Sequence, residues 1–186
     1  MHIRMRPSSA QGGVSCPGRL DAVEESVAGA VLAYTIRMFA QSGEPVAQRA
    51  ILQLIEATVS LDPAITATPY NDSVGWAAYE VSALRVPAEE PDDLLRDLLP
   101  ADASSSPVLL QLNTRPDTVK LQVDWGLRNG GPAAVASSDT LIELILSGYL
   151  TDWATVRSIR QTATRLWHAV LYDDGSGFAV SLDDLA

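Results

Sequence analysis

The chain has 186 residues, 47% of them apolar, and a formal charge of −10, a size that suits one domain or one domain with a small helical annex. Such acidity argues against a broad phosphate-binding surface, which needs clustered lysine and arginine. Cys16 is the only cysteine, which excludes an intramolecular disulfide and multi-cysteine zinc sites, and no apolar run approaches the length of a membrane span.

Residues 1–18 read as a flexible tail, rich in Pro, Ser and Gly, ahead of a single α+β domain over 19–186. The amino terminus has early arginines but no apolar core segment, so it does not read as a secretory signal, and a cytoplasmic location is expected. A first helix is expected from Asp21, where Asp21 and Glu24 fit an acidic capping box. Val23, Val27, Ala30, Val31, Tyr34 and Met38 then recur at helical spacing. Pro45 suits the first turn of a second helix, with Ile51, Leu54, Ile55 and Thr58 as its buried face. Together these make an antiparallel helix pair over 21–60.

Residues 64–73 carry two prolines and Asn71, Asp72 and Ser73, and read as a loop. Val74 to Val86 favours a strand through Val74, Trp76, Tyr79, Val81 and Val86. Pro91 and the surrounding acids suit the start of a short helix with Leu94, Leu95, Leu98 and Leu99.

The strongest pattern lies in 107–131. Val108, Leu110 and Leu112 alternate with polar or outward positions, and Val119, Leu121, Val123, Trp125 and Leu127 repeat the period of two. Pro116 and Asp117 read as the turn between two antiparallel strands, with Leu121 buried. Ser137 to Thr140 then introduces Leu141, Leu144 and Ile145 on a helix that Gly148 closes. Thr151 is the expected cap of the next helix, with Trp153, Val156 and Ile159 on its apolar face. Residues 164–167 fit either the end of that helix or the start of a strand. The strand is preferred, because Leu166, His168, Val170 and Tyr172 alternate and 173–177 makes a turn toward Phe178, Val180 and Leu182. The sheet and its covering helices thus occupy 74–182. The expected fold is α+β: a mainly antiparallel sheet of four to five strands, covered by helices on one face.

Chemistry-bearing motifs are sparse. There is no HExxH, GxSxG, P-loop or GxGxxG pattern. His168 beside Asp173 or Asp174 offers an imidazole with a carboxylate to orient it, the basis of a small-enzyme reading. Asp173, Asp174 and Ser176 do not match a calcium loop, so neither metal nor cofactor is expected. Lys120, the chain's single lysine, reads as an exposed polar-face residue.

Four tryptophans stand beside two phenylalanines. Tryptophan buries apolar area while keeping a polar edge, which suits interfaces. The expected partner-binding set is Trp76, Glu89, Glu90, Asp92, Asp93, Trp125, Arg128, Asp173 and Asp174. In this reading an acidic rim attracts a basic protein and Trp76 anchors it. The leading functional expectation is a non-catalytic protein-binding module of inhibitor, immunity or secretion-chaperone type, with no nucleic-acid or membrane partner. The alternatives are a small enzyme or small-molecule binder using His168 or the Trp125–Arg128 region, and a scaffolding subunit that assembles through the helix pair.

Overall fold

A computed structural model of the chain describes residues 34–83, 106–146, 151–173 and 177–179. All of them lie in the unit Val31–Ala186; the unit Met1–Ala30 lies outside the described residues. So do the expected tail over 1–18 and the short helix over 91–99.

The described fold is α+β, as expected: six antiparallel strands packed against three α-helices. The strands are β1 (Tyr34–Ala40), β2 (Ile65–Ser73), β3 (Trp76–Ala83), β4 (Val108–Asn113), β5 (Thr140–Leu146) and β6 (Val170–Asp173). The helices are α1 (Ala47–Leu61), α2 (Pro116–Arg128) and α3 (Trp153–Trp167), with a 3-10 turn over Ala133–Ser137. The sheet order is β2-β3-β4-β5-β1-β6, and every pairing is antiparallel.

Register divides the sheet into two faces. Ile36, Leu144, Leu110 and Tyr79 lie in one row across β1, β5, β4 and β3, and Met38, Ile142, Leu112 and Ala77 lie in the next. This face packs on α1 through Ala47, Ala50, Ile51 and Leu54, and on α3 through Val156, Ile159, Ala163 and Trp167. Those helical positions recur three and four residues apart, the spacing of a buried stripe. The other face carries Phe39, Leu141 and Tyr172, and α2 covers them with Val119 and Val123. Helices therefore cover both faces, not one.

Several sequence expectations are corrected here, each for a physical reason. Tyr34–Ala40 is a strand, so the first expected helix does not run through Tyr34 and Met38; residues 21–33 lie outside the described residues, and the second expected helix is α1. Between β5 and β6, β1 is apolar on both faces at Phe39 and Met38, and so loses the clean alternation of a half-exposed strand. The same applies to Thr140–Leu146, expected as a helix. It is a central strand with Leu141, Ile142 and Leu144 all buried, and a continuous apolar run does not distinguish a buried strand from a helix.

The second arm of the expected hairpin is α2. Pro116 occupies the first helical turn, where its missing N–H costs nothing, and Asp117 suits the positive end of the helix dipole. Val119, Val123 and Gly126, spaced four and three apart, are the buried positions; Leu121 is 62% exposed. Residues 65–73 form edge strand β2, with a bulge between Pro69 and Asn71. An edge tolerates the proline, which has no N–H for the ladder. The tight turn to β3 uses Gly75 at φ +78.

Helix α3 runs through Trp167, so no strand begins at Thr164. Its N-cap is Asp152, not Thr151: the carboxylate accepts from Ala154 N at 3.1 Å and from the Thr155 hydroxyl at 2.8 Å. His168 ends the helix in the left-handed region at φ 51, its N–H donating to Thr164 O. Asp173 and Gly177 close a turn by reciprocal backbone hydrogen bonds, while the strand expected through Val180 and Leu182 lies outside the described residues. Among the described residues, no helix is long and apolar enough to cross a membrane.

Candidate functional site

Helix α2 is the element around which the surface is shaped. It settles close to the sheet because Gly126 presents no side chain there. A Cβ at that position would lie 3.2 Å from Phe39 Cζ and 3.4 Å from Phe178 Cζ. Beneath the helix, Trp125 meets Tyr172 edge-on at 4.8 Å, and Tyr172 meets Phe178 at 4.9 Å. Such tilted aromatic pairs add favourable quadrupole contacts to their burial. The helix ends with Asn129 donating from Nδ2 to Trp125 O at 2.8 Å.

Seated this way, α2 stands as a ridge between two concavities. One, of about 450 Å³, is lined by Arg37, Leu121, Gln122, Trp125 and Arg128. Arg37 comes up from the sheet. Its Nε donates to Glu143 Oε1 at 3.2 Å, and its guanidinium lies 5.9 Å from the Trp125 ring centre. Both members of the ion pair are about a quarter exposed, at 23% and 27%. Arg128 donates from Nε to Asp124 O at 3.0 Å, which holds its guanidinium along the helix.

The opposite flank is a larger groove of about 870 Å³. Val119, Val123 and Leu127 form its apolar floor and near wall, with Lys120 and Asp124 along the rim. The far wall is the β1–α1 loop and the segment before β5. Asp139 locks that wall: Oδ1 accepts from Ser42 N at 2.8 Å and Oδ2 from Gly43 N at 3.0 Å. Oδ1 also accepts from the Thr140 hydroxyl at 2.8 Å. The Thr114 hydroxyl donates to Pro45 O at 2.9 Å and ties the same loop to the end of β4.

The structure brings together only part of the expected binding set. Trp125 and Arg128 share one concavity. Trp76 lies on the same sheet face as Phe39, in the row Trp76, Asn113, Leu141, Phe39. Three strand spacings separate Trp76 from Phe39, about 14 Å. It is half-buried rather than an exposed anchor. Asp173 is 3% exposed and accepts the Tyr34 hydroxyl, so its side chain offers little to an acidic rim. Glu89, Glu90, Asp92, Asp93 and Asp174 lie outside the described residues.

His168 and Asp173 are not brought together. His168 is exposed at the end of α3, whereas Asp173 is buried at the far end of β6 opposite Ile36. Four residues lie between them, along a chain that rises about 3.3 Å per residue in the strand. Among the described residues, no group of three or more His, Cys, Asp or Glu is placed to hold a metal.

Three contributors escaped the sequence reading: Arg37, the exposed Leu121, and the wall held by Asp139. A helical reading of 116–128 places Lys120, Leu121, Asp124 and Arg128 outward, and Pro116 is the signal for it. The Arg37–Glu143 pair depends on the adjacency of β1 and β5, about a hundred residues apart, which no local pattern encodes. Comparison with protein-family models, with curated proteins and with solved structures finds no match.

Proposed function

We propose that this chain is a non-catalytic protein-binding module, of inhibitor, immunity or secretion-chaperone type, that docks its partner over α2. One observation carries the reading. Leu121, a large apolar side chain 62% exposed, crowns a ridge with Trp125 and Arg128 on its flank. Tryptophan and arginine are the side chains that most often anchor protein interfaces, and a neighbouring apolar residue supplies area to exclude water. The formal charge of −10 favours a basic partner by raising the encounter rate. The test is recovery of a stoichiometric partner by size exclusion and pull-down from native lysate at moderate salt. The partner is expected to be lost when Leu121→Asp is used as bait. Recovery of only free protein counts against the reading.

A second reading, a small-molecule binder, is favoured by the larger groove. Its volume of about 870 Å³ falls in the range of small-molecule pockets, and its lining mixes apolar floor with a few charged groups. Fragment binding confined to that groove, with no protein recovered by the bait, would favour it over docking.

A further inference from the structure

The two flanks of α2 differ in charge, and the difference specifies what the larger groove accepts. On its rim, Asp124 and Asp139 stand against Lys120. Glu44, also at the rim, is paired with Arg49 at 3.4 Å. Neither Asp124 nor Asp139 has an ion-pair partner among the described residues. The donors to Asp139 are two backbone N–H groups and a hydroxyl, all neutral, so no cation among the described residues balances it while its position is fixed. The apolar floor of Val119, Val123 and Leu127 runs between the two carboxylates. A wall held by hydrogen bonds in advance lowers the ordering cost of binding.

We propose that this groove takes a basic segment of a protein partner with an apolar side chain at its centre. The apolar side chain rests on Val119, Val123 and Leu127, and flanking lysine or arginine side chains reach Asp124 and Asp139. This rests on the docking role of α2 and adds the chemistry of the segment that docks. Charge complementarity selects the occupant: the rim is net negative, and so is the chain as a whole. The arginine-lined concavity on the other flank would favour the opposite sign.

The experiment is an NMR titration of the full chain with three probes. These are a short peptide of alternating leucine and lysine, its counterpart with glutamate in place of lysine, and octylamine. The leucine–lysine peptide is expected to shift Val119, Val123 and Leu127 saturably. Asp124→Lys should weaken it roughly fivefold to tenfold. Asp117→Lys, the same charge change on α2 but outside the groove lining, should weaken it far less. Leu127→Ser, at a position already 38% exposed, provides a second variant that keeps the fold and should also weaken binding. Equal binding of the glutamate peptide, or shifts centred on Trp125 and Arg128, overturns the assignment while leaving docking over α2 intact. Octylamine binding as tightly as the peptide makes the groove a small-amphiphile site and overturns it too. No shift with any probe also overturns it, and docking is then judged separately by the Leu121→Asp bait.

Discussion

Arg37 of β1 and Glu143 of β5 stand directly opposite in the antiparallel register, and Arg37 Nε donates to Glu143 Oε1 at 3.2 Å. The pair sits under α2, with the guanidinium beside the Trp125 ring. Partial cover reduces the screening that makes fully exposed pairs nearly neutral. A double-mutant cycle with Arg37→Ala and Glu143→Ala, read by urea denaturation, should give a coupling of about 0.5–1 kcal/mol. A coupling indistinguishable from zero would show that the two charges are positioned without stabilising each other.

The contact of Gly126 with Phe39 and Phe178 sets how closely α2 approaches the sheet. Gly126→Leu should overpack this layer and cost about 1–3 kcal/mol. It should also lift α2 and move both concavities, visible as shifted Trp125 and Val123 resonances. Unchanged stability would mean that the helix has slack the structure does not show.

Two leucines on neighbouring elements should respond in opposite ways. Leu112 on β4 is fully buried, and Leu112→Ala should cost about 2–4 kcal/mol. Leu121 on α2 is 62% exposed, and Leu121→Ala should stay within about 0.5 kcal/mol of the parent. A large loss at Leu121 would indicate that 116–128 packs as a strand after all.

Asp139 holds together the far wall of the larger groove, accepting from Ser42 N and Gly43 N. Asp139→Ala leaves those donors without their carboxylate and should cost about 1–2 kcal/mol. Hydrogen exchange at Ser42 and Gly43 should accelerate, while exchange in β4 stays slow. Equal protection in the variant would mean that the loop is held by its other contacts.

How much of this was legible depended on whether a segment has one wet face. Helix α1 follows the sequence pattern because it buries one side, Ala50, Ile51 and Leu54; strand β3 follows it through Ala77, Tyr79 and Val81 on one face, with Ala78 buried and Glu80 exposed on the other. In β4, Val108, Leu110 and Leu112 face the core as their alternation predicts. The central strands β1 and β5 look helical in sequence because their neighbours bury both faces, which removes the period of two. In 116–128 the alternation was real but shared: Val119 and Val123 are also one helical turn apart. Proline at the start of that segment belongs equally to a turn and to a helix, and the tertiary demand to cover Phe39 and Leu141 decides between them.

The site was legible in part for the same reason. Trp125 and Arg128 are three residues apart, so a helix brings them to one side, whereas a strand would have put them on opposite faces. Arg37 reaches them only through the pairing of β1 with β5. His168 and Asp173 stay apart because α3 continues through Trp167 and leaves His168 as its left-handed cap, while Asp174 lies outside the described residues.

Docking over α2 is tested most directly by the dissociation constants of a recovered partner for two aspartate variants at exposed apolar positions. Leu121→Asp places a charge on the crown of the ridge. Val74→Asp places the same charge at the β2–β3 turn, where Val74 is 95% exposed. With both variants folded by circular dichroism, Leu121→Asp should weaken the partner at least about tenfold, the effect of losing an interface anchor, and Val74→Asp should leave it nearly unchanged. Equal affinity of the parent and Leu121→Asp, or a loss only in Val74→Asp, would place the interface away from α2 and contradict the account.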